Sequence, residues 1–283
     1  MKYVIPTQFA LHIAPNLEKR GAKLIYPLKN RDNSFYHPDG TFYTRIPEAE
    51  GLDGDVLVLH SGAPNPNRGN VELDFILSIL EWYAVDFDVF MLYYPYCRQD
   101  HICEPGETVY AKELARAIFW RGARKIYAVD AHFAKQDWVK DYPIENISTE
   151  GLFKEAVKCP DAVYMAPDIG AGKRFGAAHM DKKRYDSFSV GIGSPDELAE
   201  VVRRRTVVVR DDIISTGNTM VQARKNLLQL GANKVIAAAT HGVGWYGLES
   251  VYMEYDGKLF VTNTIKNDRA NIDVTSLVER ALA

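Results

Sequence analysis

Cysteine is scarce in this sequence. Cys97, Cys103 and Cys159 are the only three among 283 residues, and no two stand in a CxxC pair. An odd count without metal-ligand spacing fits free thiols in a reducing cytosol better than a disulfide or zinc framework. Long apolar runs are missing as well. No stretch reaches ~18 apolar residues, so no transmembrane helix is expected. The opening MKYVIPTQFALHIAP lacks a continuous apolar core with a small-residue cleavage site after it, so no secretory signal is expected. Neither sign of charge dominates. A net charge of −3 gives no bulk pull toward nucleic acid or membrane. No Gly/Ser linker or low-complexity run divides the chain.

What is present is an ordinary globular composition, 47% hydrophobic and 25% charged, long enough for one large or two medium α/β domains. Strand-like apolar runs alternate with helical patterns. Strands are expected at Asp55–His60, Val89–Tyr94, Lys125–Val129, Ala162–Met165, Ser187–Val190, Thr206–Val209, Val235–Thr240 and Leu259–Thr262. Helical periodicity covers Val71–Ala84, Glu107–Trp120 and Met220–Leu230, with Gly231 as a C-terminal cap. This alternation predicts parallel sheets covered on both faces. The hydrophobic pattern is weakest near Asp137–Ser148, so the domain boundary is placed there, dividing residues 1–142 from 143–283.

One stretch organises the rest: TVVVRDDIISTGNT, Thr206–Thr219. A buried strand leads to Asp211 and Asp212, then to the small hydroxylated run Ser215, Thr216, Gly217, Asn218 and Thr219, then to a helix. Backbone N–H groups of such a loop and of the helix start suit a phosphate. The carboxylates suit a sugar's hydroxyls or a bridging metal. Four further clusters stand at strand ends. In YYPYCRQD, Arg98 offers a guanidinium fork to phosphate, and Gln99 and Asp100 can hydrogen-bond a base or ribose. A structural ion-pair network explains those three residues equally well. In VDAH, Asp130 and His132 alternate along an extended chain and so point the same way. Such a pair can hold a divalent ion, or the aspartate can orient the histidine. In APDIGAGKR, Asp168 stands in the crevice where open α/β sheets bind ligands, and Gly170 and Gly172 allow close backbone approach. Lys182-Lys183-Arg184 lies on a connection that can move. Its cations suit a phosphoryl-transfer site that closes, or else form a solvated basic loop.

The acidic pair followed by STGNT resembles the phosphoribosyl-binding loop of type I phosphoribosyltransferases. YPYCRQD, VDAH, PDIGAGKR, KKR and VVVRDDIISTGNT together occur in the order found in the ribose-phosphate diphosphokinases, the synthetases of phosphoribosyl pyrophosphate. HPDGTFYTRI, NPNRGNVEL, ATHGV and VTNTI extend the resemblance over nearly the whole chain. It implies an α/β fold of two phosphoribosyltransferase-type domains, each with a mainly parallel central sheet flanked by helices. The N-terminal domain would be the ATP side and the C-terminal domain the sugar-phosphate side, with the active site between them. The activity implied is transfer of the diphosphoryl group of ATP to the C1 hydroxyl of ribose 5-phosphate, leaving AMP. Asp39, Arg98, Gln99 and Asp100 match ATP-binding positions. Asp130, His132 and Asp168 match magnesium-linked ones. Asp211, Asp212 and Ser215–Thr219 match the sugar-phosphate site, and Lys182 and Arg184 match catalytic loop cations, with His132 a catalytic position too. Expected partners are Mg²⁺, ATP and ribose 5-phosphate, or a larger derivative such as ADP-ribose, in a cytoplasmic homo-oligomer that binds neither nucleic acid nor membrane. Thr41, His101 and Asn218 depart from the family's usual residues. A phosphoribosyltransferase or a non-catalytic regulatory subunit are the rival readings.

Overall fold

A computed structural model of the chain describes residues 2–168, 178–179 and 195–282. The chain forms two compact units. The first holds Met1–Ser148, Thr264–Lys266 and Val274–Ala283; the second holds Thr149–Asn263 and Asn267–Asp273. The units therefore divide at Ser148/Thr149, beyond the strand Ile144–Ile147, and the chain's last helix returns to the first unit.

The first unit is built on a six-stranded sheet, all of whose pairings are parallel. Its strands are β1 (Lys2–Pro6), β2 (Lys23–Leu24), β3 (Asp55–Ser61), β4 (Phe87–Tyr93), β5 (Ile126–Val129) and β6 (Ile144–Ile147), in the order β2-β1-β3-β4-β5-β6. The connecting helices are α1 (Ala14–Lys19), α2 (Pro66–Trp82) and α3 (Tyr110–Trp120). Right-handed crossovers put α2 and α3 on one face and α1 on the other. Arg121 ties α3 to α2 through Asp74 and Glu81. Continuous runs such as VLVLHS and VFML are buried on both faces, as a covered parallel sheet requires.

The second unit repeats the plan with β7 (Val163–Ala166), β8 (Ala178–His179), β9 (Thr206–Ile214), β10 (Lys234–Gly242) and β11 (Leu259–Val261). Their order is β11-β10-β9-β7-β8, again parallel throughout. The helices are α4 (Glu150–Val157), α5 (Pro195–Val202), α6 (Asn218–Gln229), α7 (Trp245–Glu254) and, back in the first unit, α8 (Thr275–Leu282). Side-chain alternation in β9 divides the core in two. Val207 and Val209 pack with Leu198, Met220, Leu227, Leu248 and Val251 from α5, α6 and α7. Val208 packs on the opposite face with Phe153 of α4 and Ile272. Each such valine contributes about 1.5–3 kcal/mol by leaving water.

The α/β class with parallel sheets agrees with the sequence. The expected strand Ser187–Val190 lies outside the described residues. Four of the described strands were not expected: β1, β2, β6 and β8.

Candidate functional site

In the second unit the strand order places a topological switch between β7 and β9, because the chain leaves β7 outward to β8 and then crosses back. Open α/β sheets bind ligands at that point, beyond the strands' C-terminal ends. Asp168 stands two residues past β7. Met165 registers with Val209, so Asp168 and Asp212, each three residues further on, reach the same end of the sheet.

The acidic pair sits inside β9, not after it. The sequence ends the strand at Val209, but β9 runs to Ile214 because β10 pairs with it as far as Ile214↔Gly242. Partner pairing outweighs the poor β-propensity of aspartate. Both carboxylates are buried, at 7% and 2% exposure. Strand alternation sends Asp211 to the face of Val207 and Val209 and Asp212 to the face of Val208. Arg210 shares Asp212's face. It is a buried cation that donates from Nη2 to Thr149 Oγ1 (3.0 Å) and lies 4.9 Å from the Phe153 ring centroid. Nothing in the residue pattern singles Arg210 out except its place in an otherwise β-branched run.

The loop after β9 is shaped by glycines. Gly217 caps α6 with φ 80°, a left-handed conformation that disfavours side chains, and no side chain caps this helix start. Gly244 and Gly247 press on the loop's other side. A Cβ on Gly247 would lie 1.9 Å from the Ser215 carbonyl oxygen, and one on Gly244 2.2 Å from it. Ser215–Gly217 therefore lies backbone to backbone against the start of α7. Thr216 and Asn218 are exposed at the rim. Sequence reasoning missed Gly244 and Gly247; their spacing in HGVGWYG was the available signal.

In the first unit, β4 and β5 are parallel neighbours. The segments Tyr94–Asp100 and Asp130–His132 therefore leave the same end of the sheet. Arg98 and Gln99 are exposed, whereas Asp100 is buried. Asp100 accepts from Gln136 Nε2 (2.9 Å) on one oxygen and bonds His101 Nδ1 (2.6 Å) with the other. Trp138 Nε1 donates to the Asp100 carbonyl (3.2 Å), which ties the two segments together.

The extended-chain argument for Asp130 and His132 fails. Asp130 has φ 36°, and a turn begins there, with Ala134 N–H donating to Ala131 O. The two side chains are not set side by side by strand alternation. Asp39 tops a tight hairpin between Tyr36 and Phe42, and accepts from Thr41 Oγ1 (2.7 Å) and Thr41 N (3.0 Å). Those bonds, the hydroxyl's first, hold its carboxyl below the usual carboxylate range. Gly170, Gly172, Lys182, Lys183 and Arg184 lie outside the described residues.

The first sheet has its own switch, between β1 and β3. Thr7 and Gln8 follow β1, and His60 is the penultimate residue of β3. Thr7 Oγ1 and His60 Nδ1 are 3.0 Å apart, and Gln8 N donates to Glu72 Oε1 (2.8 Å). Glu72 Oε2, His60 Nε2 and Gln8 Nε2 are buried without a protein partner. Burial pushes the Glu72 carboxyl up to about 7 and the His60 imidazole down to about 3.

A relative from Methanopyrus kandleri, named ribose-phosphate pyrophosphokinase, is 37% identical over 220 residues, covering 73% of this chain and 74% of its own. The chain belongs to the ribose-phosphate pyrophosphokinase family. Another such pyrophosphokinase, from Thermococcus kodakarensis, is 30% identical and covers 93% of this chain and 94% of its own. The crystal structure of phosphoribosylpyrophosphate synthetase from Mycobacterium smegmatis superposes with a TM-score of 0.82 at 23% identity, covering 99% of this chain and 97% of that one. That likeness confirms the fold. No protein-family model matches the chain. As a ribose-phosphate pyrophosphokinase-family enzyme, the chain has its acidic pair and glycine-shaped loop at the sheet switch of the second unit, and its Arg-Gln-Asp segment at strand ends of the first. Among the described residues no group of three or more His, Cys, Asp or Glu could hold a metal ion, and no helix is long and apolar enough to cross a membrane.

Proposed function

We propose that the chain transfers the diphosphoryl group of ATP to the C1 hydroxyl of ribose 5-phosphate, forming phosphoribosyl pyrophosphate and AMP. The observation that carries this reading is the β9–α6 junction. A glycine-shaped loop precedes a helix whose N-terminus no side chain caps, and two buried carboxylates stand just before it at a sheet switch. An uncapped helix start has N–H groups to offer a sugar's 5-phosphate. Asp211 and Asp212 then accept from the ribose diol, which orients C1 toward the incoming group. Arg98 and Gln99, exposed beyond β4, suit the nucleotide. Asp100 positions their segment through Gln136 and Trp138. Lys182 and Arg184 supply cations to the group in transfer.

Magnesium fits the residues present in one particular way. The ion keeps most of its ligands as water and phosphate oxygen and takes one or two carboxylates. Among the described residues neither Asp130 nor Asp168 belongs to a group of three or more His, Cys, Asp or Glu, which suits that pattern better than an all-protein cage. His132, a nitrogen donor, suits an outer position that orients rather than binds. When bound, the metal would neutralise the charge on the β- and γ-phosphates.

The test is to incubate the chain with ATP, Mg²⁺ and either ribose 5-phosphate or ribose bearing a larger 5-substituent. AMP release and a product heavier than ribose 5-phosphate by one diphosphoryl group are expected. ADP as the stoichiometric product would make the enzyme a simple kinase. Turnover only with the larger acceptor would reassign the substrate to a derivative such as ADP-ribose.

A further inference from the structure

Three residues that follow the arginine–glutamine pair form a chain of another kind. Asp100 is buried, at 3% exposure, and Gln136 fixes one of its oxygens. Its other oxygen lies 2.6 Å from His101 Nδ1. A carboxylate can only accept, so Nδ1 carries the hydrogen and Nε2 presents its lone pair outward. Cys103 Sγ lies 3.3 Å from that Nε2. The thiol is exposed, and its loop is pinned by Glu107 Oε2, which accepts from Cys103 N (2.7 Å) and Glu104 N (3.0 Å). A thiol bonded to an imidazole, itself oriented by a buried carboxylate, is the arrangement that makes a cysteine nucleophilic. Cys97 is buried with Tyr93 OH 3.9 Å from its sulfur, and Cys159 is half-buried.

We propose that Cys103 is an oxidative modification site, activated by His101 and Asp100, whose co-reactant is a small hydroperoxide. The flanking Glu104 and Glu107 carboxylates disfavour an anionic electrophile and leave a neutral one unhindered. In the reaction His101 Nε2 takes the thiol proton. The sulfur attacks the terminal peroxide oxygen, an S–O bond forms and the O–O bond breaks. Sulfur is oxidised by two electrons and the peroxide reduced. The imidazolium returns its proton to the leaving alkoxide or hydroxide, giving Cys103 sulfenic acid and an alcohol or water. The site shares Asp100 with the nucleotide segment, but its readout is mass and not turnover, so the two assignments can fail separately.

The experiment treats the full chain with hydrogen peroxide and dimedone and follows labelling by peptide mass. Wild type should label Cys103 ahead of Cys159 and Cys97, and Cys103→Ser should lose that label. Exposure alone also predicts this order, so the deciding comparison is His101→Gln, which leaves Cys103 exposed and removes the proton acceptor. It should slow Cys103 labelling by about 10²-fold, the low end of what a positioned base contributes, with melting temperature and iodoacetamide accessibility under denaturant unchanged. Equal rates in His101→Gln and wild type, or Cys159 reacting as fast as Cys103, would overturn the proposal.

Discussion

Gly247→Ala tests whether the loop Ser215–Gly217 is shaped by its backbone contacts. Two effects oppose each other. Alanine gains about 1 kcal/mol over glycine in a helix. Against this, the new Cβ would stand 1.9 Å from Ser215 O, 2.7 Å from Ser215 C and 2.8 Å from Thr216 C. All three are main-chain atoms, so no rotamer change relieves them. The loop must retreat by about 1.5 Å to restore ordinary contact. Overpacking of this kind costs about 1–3 kcal/mol, and a site misplaced by about 1 Å loses about 10²-fold in rate. The expected outcome is a net destabilisation of about 1–2 kcal/mol, read as a fall of several degrees in Tm. kcat/KM for ribose 5-phosphate should fall by about 10²-fold while ATP affinity stays near wild type. Gly151→Ala serves as the control, since a Cβ there meets nothing within 4 Å and should leave activity unchanged. Wild-type kcat/KM in Gly247→Ala would refute the idea that this packing sets the phosphate loop.

Asp211→Asn and Asp212→Asn should each weaken acceptor use by about 1.5–3 kcal/mol and spare ATP binding, measured by titrating each substrate separately. Collapse of ATP affinity instead would mean the two substrates are assigned to the wrong halves. Arg98→Ala should weaken ATP binding with acceptor binding and Tm unchanged; a lower Tm with intact ATP affinity would return Arg98 to a structural ion-pair network. Lys182→Ala and Arg184→Ala should each lower kcat by about 10²-fold with little change in KM for ATP, as for groups that act mainly in the transition state; a change in KM alone would make them ground-state binders. Glu72→Gln should alter the pH dependence of stability. Burial raises the folded carboxyl to about 7 from 4.5, so the native state holds its proton longer than the unfolded chain. Stability therefore falls as pH rises through that window, and the glutamine variant should melt higher than wild type at pH ~8 but not at pH ~4. Parallel melting curves across that range would remove Glu72 as the cause.

Most of the architecture was legible because a covered parallel strand is an uninterrupted apolar run. VLVLH, VFML and VVV could be little else. β1 was missed because KYVIP is short, and β6 because its IENI pattern is only half buried. The site was legible in its residue types more than its geometry. DDIISTGNT announced an anion loop, yet Asp211 and Asp212 appeared to end a strand that its neighbour carries five residues further. The VDAH pair was read along an extended chain that in fact turns at Asp130. Arg210's burial, the Gly247–Ser215 contact and the Cys103–His101–Asp100 chain depend on partners brought together by the fold or on a loop's course, and periodicity carries no trace of either.

The route of the chain between its two units bears on how the protein is made. Lys2 Nζ donates to Ala281 O (2.7 Å), Arg20 pairs with Glu279 (2.7 Å), and Ser61 Oγ donates to Thr264 O (2.9 Å), all within the first unit. A ribosome delivers those partners only after Thr149–Asn263, the bulk of the second unit. The first sheet thus emerges early but waits for α8, which packs against α1, to arrive. The second unit closes from nearly contiguous sequence and has no such delay. At translation speeds of about 5–20 residues per second, the gap from Ser148 to Thr275 lasts roughly 6–25 seconds. Through that interval the nascent N-terminal half is the part of the molecule that a chaperone would hold.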